Sequence, residues 1–501
     1  MIRPSTPGAS APDRMAYDKE KTMNYISPWY YLLLLGLMVL YYIFPRKIRW
    51  SVLLAGSLAF LYLVCSKKQC LVVGLAAAAA YCFGILIEKA EGERKKLFLT
   101  LGILVSAGPL FLSWCNSLIL TRILEGGLPL IIPVGLSFYS LQLIAYLTDV
   151  GRGKIQSQKN PFKFLLFVTF FPQIVQGPIP RYDVLEQSLY RGNRFDFDKI
   201  FRSILLIMWG FFLKMMIADK AAVYVNTVFS DYKAYSGFLI LLAGILYSLQ
   251  LYTDFQACTT LSRGAAGLFG VTLGENFDHP YFALSIQDFW RRWHISLSTW
   301  LKDYVYIPLG GSRKGKVRRY INLVLTFLVS GIWHGAGLQF IFWGLLHAFY
   351  QIFGGLTRGI RDAFLALLGM EKDSLAWVCL RRAGTFFWVM LAWIIFRADS
   401  LRTGLGMIAS IFTRWNGGDM VNDAVFACGL DIKDWNALAL SLAVLACASF
   451  LQEKKICIRD WIISQHLLVR WTIYLTCILT IWIFGTYGFG FNAQDFIYGG
   501  F

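Results

Sequence analysis

Apolar stretches of membrane-spanning length recur along almost the whole chain, and they constrain its fold more than any other feature. A membrane-spanning helix needs about 20 mostly apolar residues, and the sequence contains about eleven such stretches. Hydrophobic residues make up 57% of the 501 residues and charged residues 16%, so the chain is too apolar for one water-soluble core. The sequence therefore predicts an all-α polytopic membrane protein.

The loops between the apolar stretches predict how the chain is oriented. Loops 45–50, 88–96 and 150–160 hold ten Lys and Arg residues, whereas the loops that alternate with them hold three. Because positively charged loops stay in the cytoplasm, we expect the N-terminus to face outward. The spans are predicted near residues 27–44, 51–65, 70–87, 97–114, 128–149, 203–217, 236–255, 319–336, 338–354, 384–397, 436–451 and 468–489.

Two further apolar segments are too interrupted to cross the membrane as single helices. Residues 163–180 contain three prolines and a glycine, and residues 281–310 mix many aromatic residues with five charged ones. Irregular backbone at membrane depth is tolerated only where protein or a water-filled cavity surrounds it. We therefore predict re-entrant or interfacial helices around a central cavity.

The charge and the cysteines of the chain limit its partners. The net charge of +18 favours contact with anionic membrane lipids, because no soluble segment of domain size is available to bind nucleic acid. The ten cysteines include no C-x-x-C pair, and most lie in apolar segments. We therefore expect neither a metal site nor a disulfide scaffold.

Residues 1–22 differ in composition from the rest of the chain. They are polar, contain three prolines and lack the apolar stretch of a signal peptide, so we expect a disordered N-terminal extension. Met23 opens directly onto the first apolar segment, and translation from Met1 or from Met23 fits the pattern. Residues 23–501 are predicted to form a single transmembrane domain.

His294 is one of two histidines, among five in the chain, that lie in unusual settings. It follows a helix-start pattern at Ser285 and lies at the edge of an aromatic face, one helical turn from Trp290 and from Ser298. Two interpretations remain open. Either the histidine is incidental on an amphipathic interfacial helix, or it is a functional group.

His334 is the second of these histidines, and it stands in an otherwise almost wholly apolar stretch. Ionisable groups at that depth are costly, so a functional role is the default hypothesis. Burial disfavours the imidazolium and keeps the ring neutral and available as a base. Gly331 and Gly335 bracket it and leave a bare helix face, which favours close approach of a ligand or of another helix.

The chain lacks the common sequence motifs of other enzyme classes. Two charged residues in apolar segments, Asp254 and Lys214, also need an interpretation. The chain contains no G-x-S-x-G, no H-E-x-x-H, no P-loop and no dinucleotide fingerprint, which argues against hydrolase, metalloprotease and ATPase functions. Asp254, at the end of an apolar span, is placed to orient a histidine or to cap a helix. Lys214 is expected to snorkel toward the lipid headgroups.

Five stretches of the chain closely resemble the membrane-bound O-acyltransferase (MBOAT) superfamily, and within it the bacterial alginate O-acetylation branch. The resemblance covers about residues 24–501, including the terminal Phe496-Ile-Tyr. The D-alanyl-teichoic-acid transferases are related, but they usually lack the run at residues 307–311. The resembling stretches are PVGLSFYSLQ (133–142), FPQIVQGP (171–178), DFWRRWHISLSTWLKDY (288–304), IPLGG (307–311) and WHG (333–335).

The resemblance implies a fold, a location and a set of site residues. It implies a ring of transmembrane helices around a central funnel, in the bacterial cytoplasmic membrane. By the motif match, His334 takes the catalytic place and His294 the assisting one. The candidate substrate-binding residues are Trp333, Asp254, Tyr252, Arg291, Trp290, Ser298, Asp303, Tyr304, Gln142 and Gln176.

The resemblance also implies the reaction and its partners. Members take an acyl group from a cytoplasmic thioester, either acetyl-CoA or an acylated carrier protein, and no bound cofactor is expected. They deliver the group to an extracytoplasmic glycan, and the branch suggests an extracytoplasmic helper protein. The alginate branch usually reads D-F-S-G-Y-S-D-M-A where this chain reads DFQACTTLSR from Asp254 onward, which leaves the acceptor open.

The predicted function is therefore transfer of an acyl group, acetyl in the first place, to a hydroxyl of an envelope polysaccharide. We expect His334 to deprotonate the hydroxyl and His294 to support the thioester carbonyl or the leaving thiol. A covalent acyl-histidine and relay through another protein's hydroxyl are open variants. The alternatives are D-alanyl transfer to teichoic acid, transport of a lipid-linked saccharide, and a catalytically silent scaffold.

Overall fold

The computed structural model describes residues 24–117, 130–487 and 496. Within this part of the chain the structure is helical and contains no β-strand, which confirms the predicted all-α class. The predicted N-terminal extension, residues 1–22, lies outside the described residues. So do residues 128 and 129, the first two of the span predicted near 128–149.

The described helices are numbered here in chain order. They are α1 (Pro28–Ile43), α2 (Arg49–Val64), α3 (Lys67–Lys89), α4 (Gly92–Cys115), α5 (Leu136–Gly151), α6 (Pro161–Thr169), α7 (Tyr182–Leu189), α8 (Phe197–Phe211), α9 (Asp219–Ser230), α10 (Gly237–Leu268), α11 (Ile286–Arg292), α12 (Ile295–Leu301), α13 (Lys316–His334), α14 (Leu338–Leu356), α15 (Arg358–Leu367), α16 (Leu375–Arg397), α17 (Leu401–Thr413), α18 (Ile432–Glu453), α19 (Ile458–Ser464) and α20 (Leu467–Phe484). A π-helical segment, Phe212–Ala218, joins α8 to α9, and a second one, Lys302–Tyr306, follows α12.

Eight helical segments among the described residues are long and apolar enough to cross a membrane, or nine if α14 and α15 form one bent span. The predicted number of about eleven is not confirmed. Helices α1 and α5 cover predicted spans but have 16 residues each. At 1.5 Å per residue they reach about 24 Å, less than the roughly 30 Å hydrocarbon core.

Short polar side chains cap the N-termini of several of these helices. They accept hydrogen bonds from the first backbone amides, which have no partner inside the helix. Ser66 accepts from the Gln69 amide while the Gln69 side chain accepts from the Ser66 amide, which forms a capping box at the start of α3. Asn160 accepts from two amides at the start of α6, and Ser236 caps α10. These caps fix where the chain enters each helix.

Helix α10 forms the centre of the bundle, and two other spans face outward. In α10, which has 32 residues, 72% of its most apolar window is buried inside the protein. The corresponding shares for α4 and α20 are 11% and 6%. Because the exposed side chains of α4 and α20 are largely apolar, lipid is their natural solvent. The protein is a multi-pass membrane protein.

Several loops meet on one face of the bundle, which we call the basic face and define by loops 44–50, 88–96, 150–160, 181–196 and 302–319. Arg49 donates to the Asn193 carbonyl at 2.5 Å, which joins the first of these loops to the fourth. Arg181 pairs with Asp303 at 2.9 Å, which joins the fourth to the fifth. Lys159 pairs with Glu88, which joins the third loop to the second, and Lys154 pairs with Asp183, which joins the third to the fourth. The three loops that were predicted from their charge to share one side of the membrane therefore do share one face.

The segment 161–189 enters and leaves the bundle at the basic face. Helix α6 leads inward, residues 170–180 turn, and α7 follows. Lys154, before α6, pairs with Asp183, at the start of α7, with an N···O distance of 2.9 Å. This geometry confirms the prediction that residues 163–180 do not cross the membrane as one helix.

Candidate functional site

His334 lies at the end of α13, inside a cage of aromatic rings. Its side chain is buried, and Gly335 ends the helix immediately after it. The imidazole centroid lies 4.8 Å from the Trp333 ring, 5.0 Å from the Trp343 ring and 5.3 Å from the Phe396 ring. The cage excludes bulk water and holds the ring in place.

The position of His334 depends on close packing between α13 and α14. A Cβ atom built on Gly331 would lie 2.5 Å from the carbonyl oxygen of Phe340, on α14. No side chain fits there, so the glycine lets the two helix backbones approach. The bare face predicted around Gly331 therefore contacts α14. This contact brings Trp343, on α14, against His334.

His294 lies in the turn between α11 and α12 and adopts a left-handed backbone conformation, with φ 43° and ψ 55°. A non-glycine residue rarely adopts this conformation. Asn276 holds the turn, because its carbonyl accepts from the Ile295 amide at 2.9 Å and its side-chain oxygen accepts from the Ser296 amide at 3.0 Å. The fold therefore fixes the direction in which the imidazole leaves the chain.

A substitution series at His294 tests this backbone strain. His294→Asn is expected to keep the thermal unfolding midpoint of the protein in detergent, because asparagine tolerates the left-handed conformation. His294→Ala is expected to be less stable than His294→Asn by about 1–2 kcal/mol, since alanine does not tolerate this conformation. Equal midpoints for the two variants would show that this turn relaxes without strain. Thermal unfolding followed by tryptophan fluorescence measures the difference.

Trp333 brings the two histidines together. Its ring lies 4.8 Å from the His334 ring and 6.1 Å from the His294 ring, and its indole nitrogen donates to the Ser137 carbonyl at 3.4 Å. Phe255, on α10, packs edge-on against His294 with a centroid distance of 4.7 Å. The two histidines predicted as the site are therefore neighbours across one indole, although 40 residues separate them in sequence.

Buried polar groups without partners surround this pair. Among the described residues, neither ring nitrogen of His294 has a hydrogen-bond partner. The same holds for the hydroxyls of Ser137 and Ser140, for the side-chain oxygen of Gln142 and for both amide atoms of Gln176. Each such group costs about 1–3 kcal/mol unless a ligand or water pairs it. The rings in contact with the two histidines are aromatic, and the unpaired polar groups on α5 and in the 170–180 turn are available to a polar guest.

Three predicted substrate-binding residues lie near the pair but already have contacts in the protein. The Trp290 indole donates to Nδ1 of His347 at 3.2 Å. The Ser298 hydroxyl donates to the Trp293 carbonyl at 3.1 Å. The Tyr252 ring packs against the Trp293 ring at 6.2 Å. These contacts hold the α11–α12 turn, so the three residues support His294 at least structurally.

Three other predicted residues lie away from the histidines. Arg291 is exposed. Asp303 pairs with Arg181 at the basic face, and the Tyr304 ring lies 4.3 Å from the guanidinium carbon of Arg181 and 5.3 Å from that of Arg152. The structure therefore assigns Asp303 and Tyr304 to a charged cluster at the basic face.

Asp254 takes part in a buried cluster of charges that the sequence did not reveal. Lys214 lies between two carboxylates, with its Nζ 2.7 Å from Asp254 and 3.0 Å from Asp219, and the three side chains are 2–3% exposed. The expectation that Lys214 snorkels to the headgroups is wrong. The π-helical segment Phe212–Ala218 keeps its side chain in the interior, where the carboxylates compensate its charge.

A pocket opens beside the α12 end of the site. Its volume is about 190 Å³, and it lies between the 178–185 segment, the 272–275 loop and one face of α12. Ile295, the residue after His294, is part of its wall. The lining residues are Pro178, Ile179, Pro180, Arg181, Val184, Leu185, Thr272, Leu273, Gly274, Glu275, Ile295, Ser296 and Thr299.

Lys154 adds a cation to the basic face close to this pocket's Arg181. Burial tends to lower the pKa of Lys154, but the carboxylates of Asp183 at 2.9 Å and Asp149 at 3.4 Å outweigh it and raise the pKa above its ordinary value. Lys154 is therefore protonated at neutral pH, and these two carboxylates balance its charge locally.

Sequence reasoning missed several residues of the site. Trp343 and His347 lie one turn apart on α14, and Phe138 contacts both Trp333 and His294. Nothing in a single apolar stretch distinguishes Trp343 or Phe138 from ordinary core. His347 did carry a signal, because it is an ionisable residue in an apolar stretch, as His334 is. Gln173 had a detectable signal, because it lies three residues before the predicted Gln176 in the same interrupted segment.

Comparison with known proteins agrees with this geometry. The MBOAT, membrane-bound O-acyltransferase family, model matches residues 154–366, which include both histidines and the turn 170–180. The probable alginate O-acetylase AlgI of Azotobacter vinelandii is 34% identical over 393 residues, which cover 75% of this chain and 74% of that protein. The peptidoglycan O-acetyltransferase of Helicobacter pylori is 33% identical over 395 residues, covering 72% and 70%.

Other relatives match over a shorter stretch. The probable alginate O-acetylase AlgI of Pseudomonas putida is 37% identical over 284 residues, which cover 56% of each chain. The chain thus spans about half the length of the Pseudomonas relatives, 52% to 56%. Teichoic acid D-alanyltransferases are also similar. The relationship predicted from the motifs is confirmed, and the chain belongs to the membrane-bound O-acyltransferase family.

Proposed function

We propose that the protein transfers an acetyl group from a pantetheine thioester at the basic face to a hydroxyl of an envelope polysaccharide at the opposite face. The observation that carries this proposal is the pair of buried histidines packed on one indole, near the unpaired polar groups of α5 and of the 170–180 turn. General acid–base catalysis of acyl transfer needs such groups, held in place and shielded from bulk water. The MBOAT relationship supports the same reaction.

In the proposed reaction His334 is the general base. It takes the proton of the acceptor hydroxyl as the oxygen attacks the thioester carbonyl carbon. The carbon–sulfur bond then breaks, and the proton passes to the departing thiolate, so His334 returns to its starting form. His294 donates a hydrogen bond to the carbonyl oxygen as negative charge develops there. The products are an ester and a free thiol.

The basic face is proposed as the cytoplasmic face, where the donor binds. The positive-inside bias favours this orientation in a bacterial cytoplasmic membrane. Arg181 lines the pocket, and Arg152 lies against the same Tyr304 ring as Arg181. Together with Lys154, which pairs with Asp183, these cations are proposed to attract the phosphates of coenzyme A or of a phosphopantetheinyl carrier. Because α12 rises by about 1.5 Å per residue, Asp303 at this face is roughly 13 Å from His294 along the chain. A thioester carried on an extended arm can cover that distance.

The strength of donor binding is expected to depend on salt. Raising the ionic strength from about 0.01 M to about 0.15 M shortens the Debye length from about 30 Å to about 8 Å. The KM for acetyl-CoA should therefore rise several-fold, because the attraction between its phosphates and the basic face is screened. Steady-state kinetics at the two ionic strengths measures the change.

Acetyl-pantetheine is the matched control for this measurement, since it carries the same thioester without phosphate. Its KM should not change with ionic strength. An equal rise for both donors would indicate a general effect of salt on the protein, and no rise for acetyl-CoA would contradict phosphate binding at the basic face.

The acceptor is proposed to be an envelope glycan that approaches from the opposite face. Similar proteins are named for alginate, peptidoglycan and teichoic acid. The residues after Asp254 depart from the alginate pattern, so alginate itself is not assumed. An extracytoplasmic helper protein that completes glycan acetylation is part of the proposal, and D-alanyl transfer from a carrier protein is the second candidate.

Thiol release from defined donors tests the proposed function. Purified protein in liposomes is supplied with radiolabelled acetyl-CoA, acetylated carrier protein or D-alanylated carrier protein, together with isolated envelope glycans. Acetyl-dependent thiol release with label in the glycan supports acetyl transfer. Release from the D-alanylated carrier alone supports the second candidate. Movement of a lipid-linked saccharide without any thiol release would instead support a transporter.

A further inference from the structure

The turn between α6 and α7 buries two glutamine side chains that the rest of the fold leaves unused. Gln173 is 0% exposed and Gln176 is 1% exposed. Within the described part of the chain, neither the nitrogen nor the oxygen of either side-chain amide has a hydrogen-bond partner. Four buried polar atoms without partners are therefore carried by one short turn.

The backbone of this turn, in contrast, is well paired. The Gly177 amide donates to the Gln173 carbonyl at 2.8 Å, and the Phe171 amide donates to the Ser57 hydroxyl at 3.1 Å. The Tyr25 hydroxyl donates to the Pro172 carbonyl at 3.0 Å. Since the backbone does not need the glutamine side chains, their amides are available to a ligand. Left unpaired, buried amides oppose folding, so their presence points to an occupant.

The turn lies between the pocket at the basic face and His294. Ile179, in the pocket wall, donates its amide to the Ser296 hydroxyl at 3.1 Å, and Ser296 is two residues after His294. At the other end of the turn, a Cβ atom on Gly135 would overlap Ile174, so the turn packs directly on the start of α5. The turn therefore connects the pocket wall to the start of α5, where the Phe138 ring lies 6.5 Å from the His294 ring.

The spacing of the two glutamines fits an arm with two amides. The bond from the Gly177 amide to the Gln173 carbonyl closes a helical turn, and residues three apart in such a turn have Cβ atoms about 5–6 Å apart. In pantetheine, four bonds of about 1.5 Å separate the two amide carbonyl carbons, which places them roughly 5 Å apart. A side-chain amide offers both the donor and the acceptor that a chain amide needs.

We propose that Gln173 and Gln176 bind the two amide groups of the pantetheine arm of the acyl donor and so position its thioester at His294. The assignment rests on the proposed function for the identity of the donor. On this assignment, the turn 170–180 selects donors that carry a pantetheine thioester, whichever molecule the pantetheine is attached to. The two glutamines are binding residues, and neither takes part in the chemical step.

Competition for the donor site tests the assignment. Pantetheine carries both amides without the nucleotide, and adenosine 3′,5′-bisphosphate carries the phosphates without the amides. Both compounds are titrated against bound radiolabelled acetyl-CoA in the wild-type protein, in Gln173→Leu and in Gln176→Leu. Each variant should raise the inhibition constant of pantetheine by roughly fivefold to tenfold, the loss expected for one hydrogen bond. The inhibition constant of the bisphosphate should stay the same.

Two further measurements separate binding from folding. Because leucine removes an unpaired buried amide, the unfolding midpoint of each variant should equal or exceed that of the wild type. Gln465→Leu, at the residue that follows α19, is the control substitution and should change neither inhibition constant. A lower midpoint together with equal losses for both inhibitors would overturn the proposal in favour of a structural role.

The remaining outcomes also decide the question. Unchanged pantetheine inhibition in both leucine variants, or no competition by pantetheine in the wild-type protein, would overturn the assignment. If the acceptor KM rises in the variants while the inhibition constant of pantetheine does not change, the glutamines bind the glycan acceptor. That result would also overturn the assignment. Thiol release by the wild-type protein is scored separately, so failure of acyl transfer itself is distinguishable from failure of amide recognition.

Discussion

Replacing His334 with alanine is expected to lower the rate of acyl transfer by a factor of about 10² to 10⁴, the usual contribution of a positioned general base. The imidazole is enclosed by Trp333, Trp343 and Phe396, and the variant leaves these rings in place. The amount of folded protein should therefore remain close to that of the wild type. Thiol release from acetyl-CoA, measured together with label in the glycan, gives the rate.

His466→Ala is the matched control for this substitution. His466 is exposed at the start of α20, where its ring accepts from the Leu468 amide at 3.4 Å. Its loss removes a histidine and one weak cap, and acyl transfer should be unchanged. Normal turnover by His334→Ala would contradict the assignment of His334 as the general base. Loss of turnover in both variants would point to a general effect on the protein.

The hydrophobic pattern was enough to predict the class of fold, because lipid requires long helices with internally paired backbones. It also located the interrupted segment 163–180, since prolines and a glycine exclude a straight span. The number of spans was less predictable. An apolar stretch such as 27–44 reads as a span in sequence, whereas its helix has 16 residues. Helix length depends on where capping and packing end it.

A site residue could be predicted from the sequence where its side chain differed in polarity from the apolar or aromatic residues around it. His334 in an apolar stretch and His294 beside an aromatic face met that condition. Trp343 did not, because aromatic residues in a membrane helix are ordinary core until the tertiary structure puts them against a histidine. His347 did meet the condition, since it is an ionisable residue in an apolar stretch, and it was overlooked. The location of Lys214 was predicted wrongly for a related reason. Asp219 is five residues further along the same helical run, but Asp254 comes from α10, and no local pattern joins Lys214 to it.

The cluster of Lys214, Asp219 and Asp254 leads to the second large prediction. Lys214→Met is expected to destabilise the protein by about 3–5 kcal/mol, the cost of leaving buried charges without their partner. The ammonium lies 2.7 Å and 3.0 Å from the two carboxylates and 4.7 Å from the centre of the Phe496 ring. Methionine nearly fills the same volume, so the loss is one of charge. The unfolding midpoint in detergent should fall steeply.

The charges of the cluster also predict an asymmetry between its members. Asp254→Asn leaves one lysine facing one aspartate, a balanced pair, so it should lower the unfolding midpoint much less than Lys214→Met does. The triple variant Lys214→Met, Asp219→Asn, Asp254→Asn removes the charges of these three side chains and should recover most of the loss, because neutral groups of similar shape avoid the desolvation penalty of buried ions. If Lys214→Met alone kept the wild-type midpoint, the cluster would not stabilise the bundle. If the triple variant were as unstable as Lys214→Met, packing rather than charge would explain the loss.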